Sequence, residues 1–130
     1  HVLMQAILQR NVPLLFHCAT GKDRTGVAAM IVEMALNVKE EEIFQDYMAS
    51  NQYHQHALAQ ILQKHAGEIV DHPELERLLR MKAGVIAEAG HRVLQSIKER
   101  CGYFDAYIQQ EYQWSPAEIE AARHFYCTGD

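Results

Sequence analysis

Apolar residues recur along most of this chain with the 3.6-residue period of an amphipathic helix. Val27, Met30, Ile31, Met34 and Ala35 form one stripe on a helix that follows Thr25. At the start, Val2, Leu3, Ala6 and Ile7 share one side of a short helix within HVLMQAILQR. Residues 52–67 read as a helix with Leu58, Ile61 and Leu62 turned inward, and a further helix over 85–100 carries Val85, Ile86, Val93, Leu94 and Ile97. Phe104, Tyr107 and Ile108 mark another short one.

The polar residues between these stripes supply the starts and stops. Asn37 is a left-handed stop, and Glu40, Glu41 and Glu42 fill the first turn of the next helix, where the dipole favours negative charge. Val38 and Ile43 are placed to staple that start. Pro73 opens a helix that buries Leu75, Leu78 and Leu79. Gly90 weakens the helix it sits in by about 1 kcal/mol relative to alanine, and Gly102 ends it. Ser115, Pro116 and Glu118 form a capping box ahead of Ile119, Ala122 and Tyr126.

One stretch departs from the helical period. NVPLLF is a short, nearly continuous apolar run, the pattern of a buried parallel strand over about residues 12–17, with Pro13 tolerated only at its beginning. The expected fold class is therefore α/β: mostly helical, with one clear strand leading into the loop at His17. A single strand leaves its backbone groups unpaired. The expectation is that a missing N-terminal half, or a second copy of the chain, completes the sheet. No repeat or linker divides residues 1–130, so one domain is expected.

Composition narrows the function. The 130 residues are 48% hydrophobic and 22% charged, ordinary for a globular domain, with a net charge of −5 from 12 basic and 17 acidic side chains. That balance argues against nucleic-acid binding, which needs a basic footprint. It leaves room for one phosphate in a locally positive pocket. Cys18, Cys101 and Cys127 cannot all pair within one chain and show no C-x-x-C spacing, which favours a reducing compartment. No apolar stretch is long enough to cross a membrane and no signal peptide is visible, so the expected location is cytoplasmic, with secretion as an effector left open.

The chemistry concentrates in HCATGKDRTG, residues 17–26. A strand, a tight glycine-containing loop and a helix start converge backbone N–H groups on one point, reinforced by the positive helix end. Arg24 adds a bidentate fork for a tetrahedral oxyanion. In that setting the Cys18 thiol should fall from about 8.5 into the range of roughly 3.5–7.5, giving a thiolate poised against a bound phosphate. The plainer reading is a cysteine that merely packs as a small hydrophobe; the strand–Cys–loop–Arg–helix order argues against it. A nucleotide P-loop fits poorly, because no glycine stands five residues before Gly21 and Asp23 occupies the place of the magnesium-binding hydroxyl. A sulfur-transfer loop also carries an active cysteine, but the arginine spacing and His17 point away from it.

HCATGKDRTG resembles the HC-x5-R-[ST] active-site loop of protein tyrosine phosphatases, in particular a bacterial and fungal branch that includes lipid phosphatases. DYMASNQY (46–53) and YIQQEYQWSPAEIEAARHFY (107–126) are similar to other segments of that branch, with 51–92 the weakest region. The resemblance implies a cysteine-dependent phosphatase-like fold, of which this chain is the C-terminal part. It implies Cys18 as nucleophile, Arg24 as phosphate clamp and the backbone amides of Ala19, Thr20, Gly21, Lys22, Asp23 and Arg24 as the cradle. His17 holds the loop and tunes the thiolate, and Thr25 offers its hydroxyl to Cys18 as the intermediate breaks down. Asp23 is the candidate general acid within the loop, and Lys22 a second cation for substrate charge. The loop carries Ala19-Thr20 where the branch often has Thr-Ala or an aromatic followed by Ala, which bears on pocket shape.

The implied reaction is metal-free hydrolysis of phosphate monoesters, on a phosphorylated protein or a phosphoinositide, through a phosphocysteine; no cofactor is expected. Its rivals are a phosphate-binding module without catalysis and a partner-dependent structural fragment. Several histidines invite a metal reading, but His54 and His56 stand two apart and no cysteine or carboxylate completes a ligand set, so solvated helix faces are expected. Residues 52–82 are expected to act either as a lid over the pocket or as ordinary packing. Tyr47, Tyr53, Tyr107, Tyr112 and Trp114 are expected in the core or at its rim.

Overall fold

In the computed structural model, which describes residues 1–127, eight helices follow one another: α1 (Val2–Leu8), α2 (Asp23–Ala35), α3 (Glu40–Lys64), α4 (Ala66–Asp71), α5 (Pro73–Ala83), α6 (Ala87–Cys101), α7 (Phe104–Tyr112) and α8 (Pro116–Cys127). α2 lies centrally, against α3 on one side and α7 on the other; α3 also packs on α5 and α6, and α1 packs on α8. Among the described residues no helix is long and apolar enough to cross a membrane.

The α2 stripe works as its spacing predicts. Met30 and Met34 are sealed in a core with Ile43, Tyr47, Val85, Leu94 and Ile97. Ala35 joins a second core with Met4, Ile7, Ile108, Trp114 and Ile119. α2 stops at Asn37, whose φ of 62° is left-handed; the Val38 amide donates back to the Glu33 carbonyl at 3.0 Å, closing the turn. Val38 packs on the core that contains Ile43, the partner expected across the α3 start. At α8 the Glu118 carboxylate accepts the Ser115 amide at 2.7 Å, and the Ser115 hydroxyl accepts the Glu118 amide at 3.3 Å. This is the capping box.

The α/β expectation is overturned. Among the described residues there is no strand and no sheet, and residues 11–18 run as irregular chain. A helix satisfies its own backbone, whereas a strand exists only beside another. The longer apolar runs elsewhere among the described residues have helical spacing and are taken up in helices (Val85 and Ile86, expected to open α6, lie just before it), so the segment 12–17 has no edge to join. It lies open instead, with Leu15 88% exposed.

Three smaller differences have local causes. The helix that starts at Glu40 and the one expected over 52–67 are one, α3, with the Asn51 amide bonding away to Val85 instead of competing for its own backbone; that helix ends at Lys64, and residues 66 and 67 belong to α4. Leu58, Ile61 and Leu62 are half-buried on it. α1 turns Met4 and Ile7 inward and leaves Val2 exposed. On α5, Leu79 is buried but Leu78 is exposed.

Candidate active site

The loop between the open segment and α2 is shaped by two residues. Gly21 takes a φ of 69°, a left-handed conformation that costs a glycine little. This turn brings the Gly21 amide to 3.3 Å from Cys18 Sγ, to which it donates. Lys22 is the N-cap residue of α2, so Asp23, Arg24 and Thr25 form the first turn of that helix. The His17 ring nitrogen Nδ1 lies 3.2 Å from the Cys18 carbonyl, within reach to hold the loop.

These contacts act on the sulfur. The Thr25 hydroxyl is buried with no hydrogen-bond partner among the described residues. Thr25 is nonetheless the largest influence pushing the Cys18 thiol down from 9.0 to about 6. Backbone amides of Thr20, Thr25 and Gly21 push the same way. The cause is hydrogen bonding to the thiolate, and neither Arg24 nor Lys22 is among the groups responsible. These contacts favour the thiolate, and Cys18 is half-buried, reachable from outside.

Arg24 is exposed and makes no hydrogen bond or ion pair among the described residues. It stands with Asp23, Val27, Tyr47, Ala89 and Val93 around a groove of about 420 Å³. On the other flank, Gly21, Thr25, Gly26, Tyr47, Ser50 and Tyr53 line a hollow of about 300 Å³. Ala19, Thr20 and Gly21 lie exposed between α2 and the open segment.

Lys22 is the residue whose placement differs most from expectation. Its side chain is only 7% exposed. The ammonium donates to the carbonyls of Met81 and Gly84, each at 3.1 Å. It also holds both Asp23 carboxylate oxygens, Oδ1 at 3.0 Å and Oδ2 at 2.8 Å.

Five residues packed around the loop, Tyr47, Asn51 and three glycines, carry no chemistry that sequence alone would assign. The buried Tyr47 ring is clamped between α2 and α6: a Cβ at Gly26 would stand 3.0 Å from its Cδ2, and one at Gly90 would stand 2.8 Å from its Cδ1. Burial, then the Asp23 charge, raises the Tyr47 hydroxyl above its usual range. Asn51 accepts the Val85 amide at 2.8 Å and donates to the Val85 carbonyl at 3.0 Å. Gly84 admits no side chain there, since a Cβ would meet Asn51 Oδ1 at 2.4 Å. The signal for Tyr47 and Asn51 is the DYMASNQY segment; nothing local points to the three glycines as contact points. Of the other aromatics, Trp114 is buried and Tyr53 is 87% exposed.

The model of the tyrosine phosphatase family matches residues 1–128. A protein of Cupriavidus necator, provisionally named a tyrosine-protein phosphatase, is 32% identical over 115 residues, which cover 85% of this chain and 39% of the relative. The chain thus spans well under half the length of that relative. No solved structure matches it.

Proposed function

This chain belongs to the tyrosine phosphatase family, and from that premise we propose that it hydrolyses phosphate monoesters through a phosphocysteine intermediate. The observation that carries the reading is the Gly21 amide donating to the Cys18 sulfur at 3.3 Å, on a loop that leads directly into the start of α2 and Arg24. The thiolate attacks phosphorus, forming the S–P bond as the ester P–O bond breaks. Arg24 and the loop amides hold the equatorial oxygens, where charge accumulates. Asp23, on the first turn of α2, gives its proton to the leaving alkoxide or phenoxide. Water then attacks the phosphocysteine, Asp23 takes up a proton, and the Thr25 hydroxyl stabilises the departing thiolate; inorganic phosphate is released.

No step calls on a metal, and the substrate class is a phosphotyrosine, with phosphoserine, phosphothreonine or a phosphoinositide headgroup as further members. The groove beside Arg24 is mostly apolar, which suits an aromatic leaving group against Val27 and Val93. The test is hydrolysis of p-nitrophenyl phosphate in the presence of a chelator, inhibited by vanadate. Cys18→Ser is expected to abolish turnover, by on the order of 10⁴-fold or more, while phosphate or vanadate still binds. Unimpaired turnover in Cys18→Ser overturns the mechanism. Phosphopeptide binding by the wild type without turnover would instead favour a non-catalytic cradle.

A further inference from the structure

We propose that Lys22 is a positioning residue, tying the phosphate-binding loop to the α5–α6 junction and holding the Asp23 carboxylate at the loop's mouth, and that it does not read substrate charge. The proposal deepens the functional reading above and rests on it for the role of Asp23.

The geometry uses the lysine completely. An ammonium has three donors and no acceptor, and here they serve the Met81 carbonyl, the Gly84 carbonyl and the Asp23 carboxylate. Met81 lies in the last turn of α5 and Gly84 follows that helix directly. There helix carbonyls lack partners of their own, and the dipole favours a cation. Lys22 thus caps the C-terminus of one helix while standing at the N-terminus of another. With its stem buried and its donors spent, it has nothing left to offer a phosphate in the cradle.

The junction is gripped from behind as well. Asn51, on α3, holds both backbone groups of Val85 and fits against the bare Gly84. A continuous set of contacts therefore runs from α3 through the 84–85 backbone to Lys22 and on to Asp23. Arg24 remains the cation at the mouth.

The test compares the wild type, Lys22→Met and Asn51→Ala on two aryl esters that differ in leaving group: p-nitrophenyl phosphate, which scarcely needs an acid, and phenyl phosphate, which does. Lys22→Met is expected to lower kcat on phenyl phosphate by about tenfold or more, on p-nitrophenyl phosphate by distinctly less, with KM nearly unchanged. Asn51→Ala, which touches no reacting group, is expected to show the same skew at smaller size. Alkylation of Cys18 by iodoacetamide should keep its pH midpoint in both variants. An increase in KM of about tenfold with kcat retained would show Lys22 binding substrate, and equal losses on both esters would show a merely structural role; either result overturns the proposal. Should the wild type turn over neither ester, the functional reading itself fails. The tie is then read by hydrogen exchange, where faster exchange over residues 81–86 in Lys22→Met supports it and unchanged exchange overturns it.

Discussion

On the N-terminal side of the loop that carries Cys18, Val12 is half-exposed and Leu15 stands in the open; on the C-terminal side, Met30 and Met34 are sealed from solvent. The two runs are similarly apolar, so composition does not separate them. What separates them is where the backbone finds its hydrogen bonds. α2 satisfies its own peptide groups and asks its neighbours only for a face to pack against, which α3 and α7 supply. The 12–17 segment needs a neighbouring strand, and none of the described residues provides one. The loop is therefore anchored firmly on one flank and barely on the other. Its fixed elements (Lys22, Thr25, Gly26) all belong to the anchored flank.

After loss of the Cys18 thiol itself, the largest expected effect breaks the site at that anchored flank. Arg24→Ala removes the exposed fork on the first turn of α2, and kcat/KM on p-nitrophenyl phosphate is expected to fall on the order of 10²–10³-fold. The thermal midpoint should hardly move, because the Arg24 side chain has no partner to lose among the described residues.

Packing gives the next size of effect, with a sign that depends on place. Gly90→Ala would ordinarily gain helix propensity, but its Cβ would press to 2.8 Å from the Tyr47 ring. A loss of about 1–3 kcal/mol in urea unfolding is expected. Gly67→Ala, on α4 with open space around it, should instead gain up to about 1 kcal/mol.

Glu33 tests the anchored flank through pH. It is half-buried on α2 with Oε2 unpartnered, and burial, then the Asp46 charge, pushes its carboxyl up from 4.5 to about 7. Between those values the folded state holds a proton that the unfolded state has released, so stability falls as pH rises through that window. Glu33→Gln is expected to raise stability at about pH 8 by about 1 kcal/mol, once solvent screening of a half-exposed carboxylate is allowed for. The gain should vanish below about pH 4.5, where both states of the wild type are protonated.

The smallest effect sharpens the other side of the comparison. Leu15→Ser, at an 88% exposed position, should change stability by no more than about 0.5 kcal/mol. A loss of about 2 kcal/mol or more would show that Leu15 is buried in the molecule in solution.

Much of the fold could be read in advance, because helices announce themselves locally. The α2 stripe, the Asn37 stop, Pro73 and the Ser115–Glu118 box each depend on residues within a few positions of one another. The site was legible to the extent that Cys18, Thr25 and Arg24 lie on one short loop and helix start. What could not be read depends on distant partners. The strand reading presumed a neighbour that residues 1–127 do not supply. Lys22 looked like a free cation because the carbonyls that consume it lie at Met81 and Gly84, some sixty positions along the chain. Gly26 and Gly90 matter only through a tyrosine that reaches both.

The central claim is that Cys18, alone among the cysteines, carries the phosphoryl group. Rapid acid quench during p-nitrophenyl phosphate turnover, followed by peptide mass spectrometry, tests it most directly. The account predicts one phosphoryl adduct on the peptide containing Cys18, none on those containing Cys101 or Cys127, and no adduct in Cys18→Ser. Turnover that proceeds with no adduct on Cys18, or that survives in Cys18→Ser, would contradict it.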